Sequence, residues 1–480
     1  MSENRSEFKI LISLIEIWKE PNLSSSTKEP DSQSCYYITD VSNIDIVESY
    51  KKLISTAQIT FPRGTLIKKT YTKDMSLQGS GFQASVSDAG VLRETYTETT
   101  VLGDGEVQIG VGDRIRIYLG YTKDPAIARL TSYSESRNIY TDTGKLKAYK
   151  DAMQVMFNGY IAQCSVDTPI TIKCENLAYG LKRKSCPNRK LSSATVNDLL
   201  AANGKVKLLE STGIELYPNT ESIDINIGDI ELNSHMTVAD VLLTWRKNKL
   251  YTFLKEENGK VYLGVGRIYT TNIDTKDNLI AILNDNKSEP TIDFSYHVAN
   301  NGLSIMKTDP LFIACKVSYV PEGKNKFASF VIRRNPEKPS EFDIVNENKS
   351  SKNDQKKKVA QNTSTVNPSS TPESTGIDVD LSSYNIISYT GSPGMSRDEV
   401  IGEAKKYLES FNQNGIEGSL TLFGDLALRT GTVVKLQDDL YPAKNGRYMV
   451  EEVRTTFGIN GYRQTIKLPY CISRDNEQQQ

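Results

Sequence analysis

The chain has 480 residues and a formal net charge of −1, with 58 Lys and Arg against 59 Asp and Glu. This length allows about three domains at roughly 150 residues each. The near-neutral balance provides no global basic field of the kind that favours nucleic-acid binding. Apolar residues make up 38% of the chain, and the 25 Tyr against 2 Trp favour strand-rich structure with hydrated interfaces.

Six cysteines are scattered along the chain without any CxxC pair, at positions 35, 164, 174, 186, 315 and 471. Their spacing matches neither a zinc site nor the dense disulfide framework of a small secreted domain. We therefore expect reduced and mostly buried thiols.

We expect neither a signal peptide nor a membrane span at the amino terminus. Glu16 interrupts its apolar run, Lys9 and Lys19 flank the run closely, and no small-residue cleavage site follows. The run is also shorter than the ~20 apolar residues that span a bilayer. Alternation from Phe8 to Leu14 instead predicts a first strand, in a protein folded in the cytoplasm without a membrane anchor.

Residues 1–185 are predicted to form a first antiparallel β-barrel with long insertions. The polar, Gly-punctuated intervals Thr65–Gly112 and Thr131–Lys150 exceed ordinary loop lengths, so they are interpreted as long hairpins or as insertions that contact partners. The strand candidates are Phe8–Trp18, Tyr36–Thr39, Ile44–Ser49, Ala57–Phe61, Arg114–Tyr121, Gln154–Ala162 and Ile170–Cys174.

Residues 186–294 are predicted to form a small α+β module. Thr195–Ala202 and Thr237–Lys247 each begin with a Thr that can cap a helix, and both show helical apolar spacing. Ser222–Ile230 is predicted to be a strand between them. Tyr251–Val265 is predicted to be a β-hairpin around an Asn-Gly turn.

A second β-barrel is predicted from residues 295–345 and 381–480, with a polar segment between them. The first part contains the strand candidates Leu311–Val320 and Ala328–Arg333. Residues 346–380 are predicted to be a flexible or extended linker or insertion, because they contain too few apolar residues to offset the entropy of ordering.

The last hundred residues contain the clearest helix and a run of short strands. Ser396–Asn412 is predicted to be a helix that opens with a capping box of Ser396 and Glu399. From Gly418 to Tyr470 the pattern alternates as in strands, which is typical of a small closed antiparallel barrel. The inward positions are Val433, Leu436, Tyr448, Val450 and Val453, and the turns are Thr430-Gly431, Asn445-Gly446 and Asn460-Gly461.

Residues that could carry out catalysis are few. His235 and His297 have no ligand-spaced neighbours, so both are interpreted as structural or exposed. The carboxylate pairs Asp438-Asp439 and Glu451-Glu452 suit glycosidase chemistry poorly, because adjacent strand residues point to opposite faces. No catalytic, cofactor-binding or metal-ligating residue is predicted, no cofactor is expected, and the chain is interpreted as a non-enzyme.

Phosphate-binding and nucleic-acid-binding patterns are also weak. Gly79-Ser80-Gly81 and Gly103-Asp104-Gly105 lack a following Lys-Ser/Thr and helix, and Leu263–Gly266 lies at the end of a hairpin. One local basic patch consists of Lys182, Arg183, Lys184, Arg189 and Lys190. With a neutral net charge, a solvated surface or an acidic partner is favoured over sequence-specific DNA binding.

Three stretches, taken in order, resemble the baseplate hub proteins of phage tails and contractile injection machines, which include late control protein D and the hub part of type VI spike proteins. The first is Val111–Tyr121 (VGDRIRIYLGY), followed by Met156–Ile161 (MFNGYI). The second is Pro169–Lys182 (PITIKCENLAYGLK). The third is Tyr441–Val453 (YPAKNGRYMVEEV), followed by the turn Gly461-Tyr462.

The resemblance implies a mainly β fold with an α+β part, in which two tail-tube-like barrels flank the small module. It implies a structural hub in the virion tail, assembled in the host cytoplasm. There a homotrimer would form a pseudo-sixfold ring, join the tail tube to a central spike or tip, contact other baseplate proteins and leave a channel for cargo. No needle repeat or lysozyme-like segment precedes Gln480, so we expect a piercing tip or cell-wall enzyme to be another chain. A tail-tip cell-wall hydrolase and a module that binds host glycans or receptors remain alternatives.

Overall fold

The structure, a computed structural model, describes residues 9–19, 35–75, 92–102, 109–129, 143–165, 168–247, 250–257, 260–266, 289–305, 313–321, 328–338, 341–345, 384–391, 395–410 and 416–475. Over these residues the chain is mainly β, with short helices and one mixed section. This confirms the predicted class of a mainly β fold with an α+β part.

Among the described residues, the first β unit has nine strands and three helices. The strands are β1 (Ile10–Trp18), β2 (Cys35–Ile38), β3 (Asn43–Ser49), β4 (Thr56–Thr60), β5 (Leu66–Met75), β6 (Leu92–Val101), β7 (Arg114–Thr122), β8 (Gln154–Cys164) and β9 (Thr171–Asn176). The helices are α1 (Pro125–Arg129), α2 (Thr143–Asp151) and α3 (Tyr179–Arg183).

Strand β1 is buried on both faces, which explains its nearly continuous apolar run. Ile15 and Ile17 enter the main core of the unit, whereas Leu14 packs beneath α2. Glu16, which interrupts the run, also lies on the α2 side, where Lys150 and Tyr118 bind its carboxylate. The buried charge is thus compensated within the fold.

Strands β5 and β6 form a long hairpin inside the interval Thr65–Gly112. Their pairing extends over ten residues, from Leu66 opposite Val101 to Met75 opposite Leu92. Of the two interpretations of this interval, a long hairpin or an insertion that contacts partners, the described strands form the long hairpin. Within the second interval, Thr131–Lys150, the structure describes most of α2, which the sequence pattern did not predict.

The central module follows directly and shares its core with α3. Thr195 forms a capping box with Asp198, and Thr237 and Asp240 make the same reciprocal contacts one helix later. Its elements are β10 (Arg189–Thr195), α4 (Val196–Leu200), β11 (Ile214–Leu216), α5 (Pro218–Glu221), β12 (Asn226–Leu232), α6 (Val238–Lys247), β13 (Tyr251–Glu257) and β14 (Lys260–Gly266). Strand β12 begins later than the predicted Ser222–Ile230 because the helical turn α5 occupies the chain just before it.

In the part of the chain that the structure describes, the last β unit has twelve strands and one long helix. Its strands are β15 (Thr291–Asp293), β16 (Val298–Ile305), β17 (Ile313–Tyr319), β18 (Ala328–Arg334), β19 (Phe342–Val345), β20 (Asn385–Thr390), β21 (Ile416–Phe423), β22 (Val433–Gln437), β23 (Gly446–Met449), β24 (Glu452–Gly458), β25 (Gly461–Lys467) and β26 (Tyr470–Arg474). Helix α7 (Arg397–Ser410) starts at the predicted capping box, in which the amide of Glu399 donates to Ser396 Oγ and the amide of Ser396 donates to the Glu399 carboxylate.

One sheet runs through both β units. Its thirteen strands follow the order β16-β21-β25-β24-β3-β4-β9-β8-β7-β1-β2-β5-β6, so that β24 and β3 join the two units. Smaller sheets are β10-β12, β11-β14-β13, β15-β22-β23-β26 and β19-β18-β17-β20. Among the described residues no pairing joins the two ends of the long sheet, and the division into two barrels stays a prediction.

The predicted turns of the last unit have mixed outcomes. Thr430-Gly431 is a tight turn, since the amide of Thr432 donates to the carbonyl of Arg429 and Gly431 has φ of 80°. The turn predicted at Asn460-Gly461 lies one residue earlier, because Gly458 pairs with Gly461. The two-residue turn expected at Asn445-Gly446 is wrong: Asn445 ends a longer loop, in which its side chain accepts a hydrogen bond from the Asp438 amide at 2.7 Å.

The predicted inward positions of this unit, Val433, Leu436, Tyr448, Val450 and Val453, are all buried. The polar segment predicted at residues 346–380 lies outside the described residues. No helix in the described part of the chain is long and apolar enough to cross a membrane.

Candidate functional site

The junction between the two β units is the most distinctive feature of the described chain. Strands β3 and β24 pair antiparallel over seven residues, from Asn43 opposite Gly458 to Ser49 opposite Glu452. Because the side-chain period of a strand is two, this register assigns every side chain of both strands to one of two faces. We call these the buried face and the outer face.

At one end of the buried face, the contact between the two strands is mainly apolar. Ile44 pairs with Phe457 and Ile46 with Thr455, and both isoleucines are fully buried in the core of the first unit. Tyr462 from β25 enters the same core, so residues from both units contribute to it. The pairing is thus reinforced by shared apolar burial as well as by backbone hydrogen bonds.

Gln464 satisfies a buried polar segment beside this contact. Its side-chain oxygen accepts from the Leu428 amide at 2.8 Å, and its Nε2 donates to the Leu428 carbonyl at 2.9 Å and to Thr455 Oγ1 at 3.2 Å. Gln464 is fully buried. It therefore fixes the chain just before Arg429 against β24 and β25.

The buried face ends in a charged contact at Glu48. Arg429 donates from Nη1 to the Glu48 carboxylate at 2.7 Å and also to the carbonyl of Met156 on β8. Burial raises the pKa of Glu48; Arg429 acts in the opposite direction, and the neighbouring Glu256 raises the pKa further. Arg429 is thus a single side chain of the last unit that binds two strands of the first.

A tyrosine cluster brings all three parts of the chain together. Tyr50, which follows β3, lies edge-on to Tyr251 of the central module with ring centroids 5.5 Å apart, and 6.2 Å from the ring of Tyr470 in the last unit. The amide of Tyr50 donates to Thr430 Oγ1 at 3.2 Å. Burial raises the pKa of the Tyr50 hydroxyl, so this group stays neutral near pH 7.

A cavity of about 460 Å³ opens beside these contacts, and its walls come from the same three parts of the chain. This junction cavity is comparable in size to small-molecule sites, which range from roughly 300 to 1,000 Å³. Its polar walls include Glu48, Asn158, Thr252, Glu256, Arg429 and Thr432.

The outer face of the junction is polar and solvated. Arg454 of β24 binds the carboxylate of Asp45 through two hydrogen bonds of 2.9 and 2.6 Å. The Arg454 side chain is 57% exposed. Such an exposed pair helps to orient the two strands but contributes little to the free energy of unfolding.

Two of the stretches that resemble hub proteins meet at a second contact between the units. Tyr121 ends the first stretch and Tyr462 follows Gly461 at the start of β25, and their rings stack with centroids 5.5 Å apart. The Tyr121 hydroxyl donates to the Tyr462 carbonyl at 2.9 Å. The sequence pattern therefore identified two residues that lie against each other across the junction.

The same stretches occupy neighbouring positions in the first unit. Ile117 of VGDRIRIYLGY pairs with Phe157 of MFNGYI, and Ile115 pairs with Gly159. A Cβ at Gly159 would lie 2.1 Å from the carbonyl oxygen of Glu175, so the adjacent strand requires glycine there. PITIKCENLAYGLK forms β9 and then α3, the strand-to-helix order that the resemblance implies.

Neither histidine lines the junction cavity. His235 is exposed in the loop before α6, where its amide donates to Asn233. His297 closes the turn after β15, since its Nδ1 accepts from the Asp293 amide at 3.0 Å. Within the described residues no group of three or more His, Cys, Asp or Glu side chains is placed to hold a metal ion.

The carboxylate pairs do not meet in a cleft. Asp438 is buried and binds Lys444 at 2.7 Å, while Glu451 binds Lys51 at 2.6 Å and Glu452 binds Lys467 at 2.9 Å. Hydrogen bonds from Lys444 and from backbone amides hold the pKa of Asp438 below its ordinary value, against the effect of burial. These carboxylates act as local structural partners.

The Gly-rich motifs, the basic patch and the cysteines are the remaining sequence patterns. Gly79–Gly81 and Gly103–Gly105 lie outside the described residues, and Leu263–Gly266 forms the end of β14. In the basic patch, Lys182 binds Glu175 and Lys190 binds Glu231. All six cysteines are free thiols.

The comparisons with known proteins give structural matches only. No family model and no curated protein matches the chain. A tail protein from Neisseria meningitidis MC58 is 9% identical with a TM-score of 0.45, and covers 96% of this chain and 99% of its own. The 43 kDa tail protein of prophage MuSo2 from Shewanella oneidensis is 9% identical with a TM-score of 0.43, over 97% of this chain and 99% of its own.

A chain of the Francisella PdpA-VgrG complex is 10% identical with a TM-score of 0.43, over 97% of this chain and 53% of its own. Tail and VgrG-type proteins are of the same kind as the family that the sequence resembles. Since these TM-scores lie below 0.5, the likeness by itself is no argument about the function of this chain.

Proposed function

We propose that this chain is a structural protein of a phage tail or a related injection machine, and that it acts as the baseplate hub. In this role three copies form a ring that joins the tail tube to a central spike or tip. The channel of the ring passes cargo, and no covalent bond is made or broken. The ring is located in the virion tail and assembles in the host cytoplasm.

The observation that carries the proposal is the continuous sheet across the junction. Strands β3 and β24 hold the two β units in one fixed register, and Arg429 and the tyrosine cluster tie the same units at a second point. A chain that fixes two β-rich units side by side provides two positions of a ring. Three such chains provide six positions, which suits a sixfold tube on one side and a threefold spike on the other.

The sequence resemblance supports the same conclusion. Its first two stretches build the neighbouring strands β7, β8 and β9, the third builds β23, and Tyr121 and Tyr462 contact each other across the junction. A hub needs this rigidity because it transmits force between tube and spike. A catalytic cleft would instead need convergent acids, bases or nucleophiles.

Partner contacts are assigned to the two long insertions of the first unit and to one loop of the last unit. The β5–β6 hairpin and the interval Thr131–Lys150 are proposed to reach neighbouring subunits or other tail proteins. Leu440 and Tyr441 form an apolar loop tip, 84% and 67% exposed, on a loop held by the buried Asp438–Lys444 pair. An apolar tip on a rigid loop suits a protein contact.

Electron microscopy of the purified protein at high concentration tests the proposal. The expected result is rings with threefold symmetry and six similar densities around a pore. Turnover assays on cell-wall material form the second arm, and no turnover is expected. Monomeric particles at every concentration together with cell-wall cleavage would favour the tail-tip hydrolase, and monomers that bind host-surface glycans would favour the receptor-binding module.

A further inference from the structure

The junction cavity contains an acceptor oxygen that the fold leaves without a partner. Asn158 lines the cavity and is 5% exposed. Its Nδ2 donates to the Glu256 carboxylate at 3.0 Å, which fixes the amide orientation and leaves Oδ1 buried without a hydrogen bond. An unpaired buried acceptor is unfavourable, so a ligand that donates a hydrogen bond to it recovers part of that cost.

Two carboxylates line the same cavity as this oxygen. Glu48 and Glu256 both line the cavity, and burial and then the negative charge of Glu256 raise the pKa of Glu48. Arg429 pairs with Glu48 at 2.7 Å, and Glu256 receives only the neutral amide of Asn158 among the contacts described for it. This end of the cavity is therefore richer in acceptors than in donors.

The other cations on the cavity wall are directed elsewhere. Lys255 donates from Nζ to the Tyr217 hydroxyl, and its ammonium lies 4.4 Å from the centre of that ring. Lys52 is exposed to solvent. Neither contact supplies the Asn158 oxygen with a donor.

We propose that the junction cavity binds an organic cation, an alkylammonium or guanidinium group, which donates hydrogen bonds to Asn158 Oδ1 and to the carboxylates of Glu48 and Glu256. A cation with several N–H donors suits this set because it satisfies the amide oxygen and neutralises the excess carboxylate together. The cation binds at the point where all three parts of the chain meet, and it thereby stabilises their arrangement.

The chemistry fits two sources, a Lys or Arg side chain of a partner protein and a free polyamine. Isothermal titration calorimetry distinguishes them with acetyl-Gly-Arg-Gly-amide, acetyl-Gly-Lys-Gly-amide and putrescine as probes, and with MgCl₂ at matched ionic strength. Saturable binding of either peptide in preference to putrescine assigns the site to a partner side chain. The reverse preference assigns it to a polyamine.

Three variants test the location of the site. Glu48→Gln, Glu256→Gln and Asn158→Leu should each weaken binding about tenfold or more, because each removes a hydrogen bond to a charged group. Glu215→Gln is the matched control, since Glu215 is an exposed acid of the same module that binds Lys260 and does not line the cavity. This control should leave the affinity unchanged.

Thermal melting identifies any variant that fails to fold, and Glu48→Gln and Glu256→Gln keep the test valid if Asn158→Leu does. Binding that is not saturable, binding that all three cavity variants leave unchanged, or binding of Mg²⁺ alone would overturn the proposal. The absence of any binding would overturn it too, and Asn158 Oδ1 would then be satisfied by water. The test uses the isolated chain, so its outcome is independent of the hub proposal.

Discussion

The two ends of the β3–β24 junction differ in chemistry although they belong to the same pair of strands. At Ile44 and Phe457 the contact is apolar and closed, whereas at Glu48 it is charged and opens onto the junction cavity. The apolar end fixes the register, because a slip by one residue would place its isoleucines in solvent. The charged end orients the two units through the hydrogen bonds of Arg429, and it leaves polar groups that a ligand can reach.

The largest effect is expected from removing apolar volume at the closed end. Ile46→Ala should lower the free energy of unfolding by about 2–5 kcal/mol, because Ile46 is fully buried where both units contribute to one core. Urea titration followed by circular dichroism measures the change. Ile46→Val is the matched control and should cost about 0.5–1.5 kcal/mol. A loss of less than about 2 kcal/mol for Ile46→Ala would show that the closed end is not a packed core.

A second large effect is expected where a polar group bridges the closed end. Gln464→Leu keeps the volume but leaves the Leu428 amide and carbonyl without their side-chain partner. The expected loss is about 1–3 kcal/mol, measured in the same titration. The control is Gln58→Leu on β4, where the side chain is exposed and a change within about 0.5 kcal/mol is expected. Equal effects of the two substitutions would contradict the bridging role.

The charged end should make stability depend on pH. The pKa of Glu48 is raised in the folded protein, so the folded state holds its proton more tightly than the unfolded state. Its contribution therefore favours folding below its ordinary pKa of about 4.3 and declines as pH rises towards the raised pKa. Burial sets the pKa shift of Glu48 together with Arg429, which lowers the pKa, and Glu256, which raises it. Lys52 and Lys255 lie on the same cavity wall.

Glu48→Gln removes this titration and tests that sign. The free energy of unfolding of the wild type minus that of the variant should fall as pH rises from about 4 and become constant above the raised pKa. Urea titrations at steps of half a pH unit up to neutrality measure the difference. A difference that grows with pH would mean that Arg429 lowers the pKa more than burial and Glu256 raise it.

The smallest effect is expected on the outer face. Arg454→Gln removes the exposed pair with Asp45 and should cost about 0.2–1 kcal/mol. Adding 0.5 M salt should remove most of this difference, because exposed pairs are screened. A loss as large as that of Ile46→Ala would show that the outer face, and not the buried face, holds the units together.

Local structure was predictable from the sequence where neighbouring residues determine it. The capping boxes at Thr195, Thr237 and Ser396 and the alternation in the terminal strands each depend on residues close in sequence. The prediction of a hairpin turn at Asn445-Gly446 failed because the Asn445 side chain accepts a hydrogen bond from the Asp438 amide, which closes a longer loop.

The junction was not predictable in the same way. Its contacts join residues far apart in sequence, such as Glu48 with Arg429 at 381 positions and Asn158 with Glu256 at 98. Single polar residues on strands carry no local signal for such partners. The one sequence-level indication was the resemblance, whose motifs include Tyr121 and Tyr462, which stack between the units.

The copy number and symmetry of this chain in an intact tail test the central claim most directly. Cryo-electron microscopy of purified particles, with the chain located by its thirteen-stranded sheet, supplies both values. The hub proposal predicts three copies around the tail axis, with their six β units arranged in a pore between tube and spike. Six copies at the periphery, or a position in a fibre, would contradict it.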